Sequence, residues 1–159
     1  MSILVKYIST DFIVLPMQAT DGNSAIQELL RPLEEHHILE PDQACLESIL
    51  RRERRMSTGV GKGVALPHGL SDQVTDVAVV MGISPGGINF RAVDNMLCHI
   101  FVLLISPRDQ PEKHLKLLSR FTKLLSGGQL RSVLLEARTA EHLLDTLQDW
   151  DDKENDVLL

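Results

Sequence analysis

Residues 77–105 have the sequence VAVVMGISPGGINFRAVDNMLCHIFVLLI, and they contain two apolar runs, at 77–83 and 98–105. Each run has the length of a β-strand and is far shorter than the roughly 18 residues that a membrane-spanning helix needs. A strand that is apolar on both faces belongs in a sheet that is covered on both faces. The stretch therefore predicts two central strands of a sheet that is packed between helices.

Helical patterns precede these strands. Asp21 or Asn23 can cap a first helix that ends near His36, with its apolar side chains on one face. Pro41 suits the first turn of a second helix, which ends near Arg54. These two helices can cover one face of the predicted sheet.

Three more helical patterns follow the strands. Asp109 and Glu112 have the spacing of a capping box, and Pro111 lies in the first turn of the helix that they begin. A short helix is predicted at 130–137, and Thr139 can cap the last one. Helices on both sides of the strands in the chain predict an α/β fold, a three-layer α/β/α single domain.

The chain has 159 residues, enough for one domain with a substantial core, and no repeat or internal linker interrupts it. We predict one domain over residues 1–150 and an acidic C-terminal tail, 151–159, that frays. Shorter apolar runs predict an early strand within residues 4–16 and a short strand at 64–66.

Composition and charge narrow the classes of function. Hydrophobic residues make up 43% and charged residues 24%, which is ordinary for a soluble globular protein. The net charge of −6 disfavours nucleic acid as a partner, because phosphate backbones are held by Lys and Arg. The N-terminus has no signal-peptide pattern, so we expect a cytoplasmic protein without direct membrane insertion. Cys45 and Cys98 lie outside any CxxC motif and are predicted to be reduced core thiols.

The residues best suited to chemistry are concentrated in residues 52–69, RERRMSTGVGKGVALPHG. His68 follows the rigid Pro67 at the end of a short predicted strand, so its ring is held in a defined place. A neutral imidazole has one nitrogen that can attack and one N–H that must be oriented. The glycines can expose backbone N–H groups to an anion, and the planar fork of Arg52 can clamp a phosphoryl group.

Arg52 and His114 also have simpler interpretations. On spacing alone, Arg52 is more easily a solvated charge among its neighbouring arginines. His114 lies on the apolar side of its helix and in the first turns, where the helix dipole favours an anion. Considered alone, such a histidine is more often a satisfied core residue than a site residue.

Nucleotide binding through the glycine loop is excluded. Gly61-Lys62 would need a glycine five residues before Gly61 and a Ser or Thr after the lysine to form a Walker A loop. The chain has Met56 and Gly63 at these two positions.

The same segment resembles a known family. The pattern of Glu53, Val60-Gly61 and VALPHG at residues 64–69 resembles the phosphorylation-site signature of enzyme IIA domains of the fructose/mannitol class, from the bacterial sugar phosphotransferase system. The similarity extends over roughly residues 4–148. Further positions resemble the nitrogen-regulatory, IIA-Ntr-like branch: Ser57-Thr58-Gly59, AVDN at residues 92–95, and His114-Leu115.

The resemblance implies a mixed central sheet and a set of site residues. His68 matches the phospho-accepting histidine of the family, Arg52 its active-site arginine and His114 its second active-site histidine. Ser57 and Thr58 are candidates to donate hydroxyl hydrogen bonds to the phosphoryl group. No cofactor and no metal are expected, since the donor P–N bond is already reactive and positioning can do most of the work.

The function that the resemblance implies is phosphoryl transfer in the phosphoenolpyruvate-dependent phosphotransferase system. An HPr/NPr-like phosphocarrier protein would pass its phosphoryl group to His68. A regulator of nitrogen, potassium or carbon metabolism, whose target proteins distinguish the two phosphorylation states, fits a single domain best. The alternative is a sugar-transport intermediate that passes the group to a cysteine of an enzyme IIB domain. A scaffold that lost phosphotransfer is a weaker alternative.

Overall fold

The computed structural model describes residues 4–41 and 43–157, which form a sheet between two layers of helices. The strands in this part of the chain are β1 Ile13–Val14, β2 Gly59–Gly61, β3 Val64–Ala65, β4 His68–Leu70, β5 Ala78–Ile88 and β6 Cys98–Ser106. The helices are α1 Gly22–Glu35, α2 Gln43–Arg55, α3 Pro111–Leu125, α4 Gly128–Glu136 and α5 Ala140–Val157. Two short 3-10 helices, Leu4–Lys6 and Thr10–Phe12, occupy part of the segment 4–16 in which an early strand was expected, and that segment also contains the two-residue strand β1.

The sheet is mixed. Strands β5 and β6 are antiparallel, whereas β1 runs parallel to β5, and β3 and β4 run parallel to β6. The strand order is β1-β5-β6-β3-β2, and β4 pairs with β6 farther along than β3 does. Strand β6 is therefore central, with β5 on one side and both β3 and β4 on the other.

The alternation of side chains along β6 produces the three layers. Val102 and Leu104 pack in a cluster with apolar side chains of α3, α4 and α5. Phe101 and Leu103 point to the other face and pack in a second cluster with α1 and α2. All four are 0% exposed, and burying such a side chain contributes about 1.5–3 kcal/mol. The prediction of a three-layer α/β/α domain with its two long central strands is confirmed.

Strand β5 is longer than its apolar run. The predicted strand ended at the Ser-Pro-Gly-Gly segment, residues 84–87, but β5 continues to Ile88. Ile83 pairs with Ile100 and Ile88 with Cys98, so the pairing advances five positions along β5 and only two along β6. The proline and glycines of this segment form an irregularity inside the strand rather than its end.

Two of the predicted helix caps are confirmed. The Asp21 side chain accepts a hydrogen bond from the Ser24 N–H at 2.8 Å at the start of α1. The Thr139 hydroxyl oxygen accepts one from the His142 N–H at 3.1 Å at the start of α5.

The capping box predicted for α3 is wrong. The helix begins at Pro111, and its N-cap is Gln110, which makes no side-chain capping bond. Asp109 thus lies one residue too early for the box to form with Glu112. The Gln110 side chain instead donates to the carbonyl oxygen of Thr75 at 3.1 Å, which ties the start of α3 to the loop before β5.

The segment from Asp151, expected to fray, continues α5 to Val157. The Asp151 side chain is 0% exposed, and it accepts hydrogen bonds from Nε of Arg120 at 2.6 Å and from the Leu4 N–H at 3.2 Å. These contacts tie the end of α5 to α3 and to the start of the described chain. The domain boundary at residue 150 stays a prediction.

Both cysteines are buried in the core and are not joined in a disulfide. Burial raises the pKa of Cys98 to about 11, and the nearby carboxylates of Asp94 and Glu53 add to the shift. A thiol with this pKa is a poor nucleophile at neutral pH.

Over residues 4–41 and 43–157, no helix combines the length and apolar character needed to cross a bilayer.

Candidate active site

A cavity of about 460 Å³ opens at the edge of the sheet, between α2 and α3. It is lined by Ser48, Arg52, His68, Gly69, Leu70, Arg108, Pro111, His114 and Leu115. Two larger cavities, of about 580 and 500 Å³, contain neither His68 nor His114. We take the smaller cavity as the candidate site because it brings together three of the residues predicted from the sequence, namely Arg52, His68 and His114.

His68 begins the edge strand β4, opposite Leu104 of β6. The preceding residue is fixed as well, because the carbonyl of Pro67 accepts the Leu104 N–H at 3.1 Å. The Nδ1 atom of His68 lies 2.8 Å from the carbonyl oxygen of Leu66. A carbonyl can only accept, so Nδ1 carries the proton and Nε2 keeps a free lone pair. In the neutral form of the ring, the unprotonated Nε2 nitrogen can act as a nucleophile.

His114 lies in the first turn of α3, and its backbone N–H donates to the carbonyl of Gln110 at 3.2 Å. Its ring meets that of His68 edge-on, with the ring centroids 5.3 Å apart. Its Nδ1 atom lies 2.6 Å from Oγ of Ser106. Burial, and in smaller part the nearby His68, lower the pKa of His114 below its ordinary value, so this ring is neutral at pH 7.

Arg52 lies in the last turn of α2. One of its guanidinium N–H groups donates to the carbonyl oxygen of Met56 at 3.0 Å, just beyond the end of the helix. This bond uses one of the five donors of the guanidinium and holds the group beside the cavity. The arrangement places a positive charge and two imidazole rings around one space, which suits a phosphoryl group.

Gly69 determines how closely α2 approaches β4. A Cβ atom at this position would lie 2.9 Å from Cγ1 of Ile49, which is closer than carbon atoms pack. The absence of a side chain therefore lets α2, and with it Arg52, lie against the strand that carries His68.

We expect Gly69→Ala to lower the free energy of unfolding by about 1–3 kcal/mol, the usual cost of overpacking a core. Urea denaturation measures this change. Gly86→Ala is the control, because a Cβ there meets no atom within 4 Å. Equal stability of the two variants would contradict the close contact between Gly69 and Ile49.

Ser57 and Thr58 are not brought into this cavity. The Ser57 hydroxyl donates to the carbonyl of Phe90 at 2.7 Å, and the Thr58 hydroxyl donates to the carboxylate of Glu53. A hydroxyl whose proton is already donated has none left for a phosphoryl oxygen. Both side chains hold the loop that leads into β2.

The glycine loop does not line the cavity that contains His68 either. Gly61 and Gly63 have positive φ angles, of 97° and 80°, and they form the tight turn between β2 and β3. The N–H of Lys62 between them donates to the carboxylate of Asp94 at 2.8 Å, so an acidic group already occupies the position predicted for an anion.

Sequence reasoning missed two residues at the site. Arg108 lines the cavity, where it pairs with Asp72 at 3.2 Å, and both side chains are largely exposed. Ser106 lies beneath His114 at the end of β6. In the sequence, the turn signal at Ser106-Pro107 was the sign that the chain changes direction here, eight residues before His114.

Among the described residues, no three His, Cys, Asp or Glu side chains are grouped to hold a metal ion.

Comparison with known proteins gives a consistent match. The family model described as "Phosphoenolpyruvate-dependent sugar phosphotransferase system, EIIA 2" matches residues 6–150. The chain is 33% identical over 123 residues to a nitrogen regulatory protein of Shigella flexneri, covering 77% of this chain and 76% of that protein.

A second relative is longer. The fructose-specific EIIABC component of the phosphotransferase system from Bacillus subtilis is 29% identical over 148 residues, which is 93% of this chain. The chain spans only 23% of the length of that relative. Among solved structures, the nitrogen regulatory protein IIA-Ntr from Neisseria meningitidis aligns with a TM-score of 0.84 at 26% identity. The alignment covers 92% of this chain and 99% of that one.

Proposed function

Because the chain belongs to the EIIA 2 family of the phosphoenolpyruvate-dependent sugar phosphotransferase system, we propose that it accepts a phosphoryl group onto Nε2 of His68. Domains of this family are phosphotransferases that act through a phosphohistidine intermediate. One observation carries the assignment to His68. The carbonyl of Leu66 accepts a hydrogen bond from Nδ1, which leaves the Nε2 lone pair free in the cavity that Arg52 and His114 also line.

The proposed donor is the phosphohistidine of a small HPr-like or NPr-like carrier protein. The Nε2 lone pair of His68 attacks phosphorus in line, the new N–P bond forms, and the P–N bond to the carrier breaks. The donor imidazole leaves with the electron pair of the broken bond, and Nδ1 of His68 keeps its proton. Arg52 stabilises the charge on the equatorial oxygens, and His114 donates a hydrogen bond to one of them.

We favour a regulatory output for this transfer, in the control of nitrogen, potassium or carbon metabolism. The similarity to a nitrogen regulatory protein, which covers 76% of that protein, supports this choice. Phosphorylation attaches to His68 a group whose oxygens carry up to about two negative charges, enough to block or create a protein contact at the cavity rim. Target proteins in the cytoplasm would then bind one phosphorylation state and not the other.

The second candidate is a transport intermediate that passes the phosphoryl group to a cysteine of an enzyme IIB domain. The similarity to a fructose-specific EIIABC component over 93% of this chain favours it. Transfer from the labelled protein to an isolated IIB domain distinguishes the two candidates. Rapid loss of label to the IIB cysteine supports the transport reading, and retention of label supports the regulator.

Phosphotransfer itself is tested by incubating the protein with phosphoenolpyruvate, enzyme I and an HPr-type carrier. We expect an acid-labile mass increase of one phosphoryl group, located on the peptide that contains His68. The carriers should include both a sugar-type and a nitrogen-type protein. If neither carrier labels the protein, the proposal is overturned and the scaffold alternative remains.

A further inference from the structure

Ser106 is fully buried at the end of β6, and its Oγ atom lies 2.6 Å from Nδ1 of His114. We propose that Ser106 is a positioning residue that donates its hydroxyl proton to Nδ1 and so keeps the His114 proton on Nε2. His114 then presents an N–H, and not a lone pair, to the cavity. The role in catalysis rests on the proposed function, whereas the tautomer itself does not.

The direction of this hydrogen bond follows from the burial of Ser106. If Nδ1 of His114 donated instead, the hydroxyl proton of Ser106 would need a second acceptor. Ser106 is 0% exposed, so water does not supply one, and within the described part of the chain its Oγ atom hydrogen-bonds to His114. A buried hydroxyl proton without an acceptor costs about 1–3 kcal/mol. Donation from Ser106 to Nδ1 avoids this cost.

The backbone fixes Ser106 independently of the histidine. Ser106 pairs with Leu70 of β4, and its carbonyl oxygen accepts the Ser71 N–H at 3.0 Å. Strand β4 is therefore hydrogen-bonded to the end of β6, and Ser106 pairs with the residue two positions after His68. The sheet holds the Ser106 hydroxyl in place, whereas His114 belongs to α3. The hydrogen bond between them therefore fixes the orientation of the His114 ring relative to the sheet.

The two histidines of the cavity are thereby given opposite tautomers. A carbonyl oxygen, which can only accept, places the His68 proton on Nδ1 and leaves Nε2 as a nucleophile. A hydroxyl donor beneath His114 places its proton on Nε2 and makes that nitrogen a hydrogen-bond donor. One imidazole is then prepared to form the bond to phosphorus. The other is prepared to donate a hydrogen bond to a phosphoryl oxygen.

The test is the proton position on each ring, measured by long-range ¹H–¹⁵N correlation spectra of ¹⁵N-histidine-labelled, unphosphorylated protein. In the wild type we expect the His114 proton on Nε2 and the His68 proton on Nδ1. In Ser106→Ala, we expect the His114 signals to move toward the Nδ1–H form while those of His68 stay unchanged. The phosphotransfer rate of Ser106→Ala should fall about tenfold, the effect of one lost hydrogen bond.

Ser84→Ala is the matched control, because Ser84 is another buried serine of the sheet that does not line the cavity. It should leave both the tautomers and the rate unchanged. Ser106→Thr keeps the hydroxyl and should restore the wild-type His114 signals. A wild-type spectrum with the His114 proton on Nδ1, or an unchanged His114 tautomer in Ser106→Ala, would overturn the assignment. If the spectra are as expected but the wild type is never labelled, only the proposed function fails.

Discussion

His68→Ala is expected to abolish phosphorylation by a phosphorylated carrier, with no detectable mass increase under conditions that label the wild type fully. The substitution removes the nitrogen whose lone pair the Leu66 carbonyl leaves free. His114 does not replace it, because the proposed hydrogen bond from the Ser106 hydroxyl makes that ring a donor toward the cavity. Intact-protein mass spectrometry before and after mild acid measures the loss.

The matched control is His142→Ala. His142 is exposed on α5, away from the residues that line the cavity, and its removal should leave labelling at the wild-type level. Circular dichroism should show that His68→Ala is folded, since His68 is half-buried and lies on an edge strand. Labelling of folded His68→Ala at the wild-type rate would assign the chemistry to another residue.

The parts of the fold that could be predicted are those in which a short sequence determines its own structure. The apolar run of β6 predicts a doubly covered strand because every side chain in it needs an apolar neighbour. The caps at Asp21 and Thr139 are equally local, since each bonds to a backbone N–H three residues away. The Pro67-His68 pair likewise fixes the direction of a single side chain. These features need no knowledge of distant residues.

The parts that could not be predicted depend on pairing over long distances in the chain. Strand β4 contains Gly69 and has no strand pattern of its own, yet its pairing with β6 places Leu70 beside Ser106. This pairing is what brings Ser106 and Arg108 to the site of His68. The hydroxyls of Ser57 and Thr58 were plausible phosphoryl donors by proximity in sequence, but the fold gives both of them protein acceptors.

The end of α5 could not be predicted either, and here the structure is more ordered than the sequence suggests. An acidic C-terminal segment predicts fraying, because like charges repel and no apolar pattern holds the helix down. Asp151 nevertheless meets Arg120, which is 31 residues earlier and is only 11% exposed at its side chain. Charge composition alone did not reveal this partner, since Arg120 lies on a different helix, α3.

We expect Asp151→Ala to destabilise the protein by about 3–5 kcal/mol, because it leaves the guanidinium of Arg120 buried without its carboxylate. Asn155 and the Asp151 carbonyl still accept from Arg120, but neither carries the compensating charge. Urea denaturation measures the change. The control is Glu154→Ala, which breaks a more exposed pair with Lys123 at 4.0 Å and should cost less than about 1 kcal/mol.

Equal costs for Asp151→Ala and Glu154→Ala would show that the buried pair adds nothing beyond a surface contact. The expected difference also bears on the predicted domain boundary. A chain that ends at residue 150 lacks Asp151, so it should lose the same 3–5 kcal/mol by the same cause. Such a chain can lose phosphotransfer by unfolding, although His68, Arg52 and His114 are all present in it. Loss of activity on truncation therefore counts against the catalytic assignment only if the shortened chain remains folded.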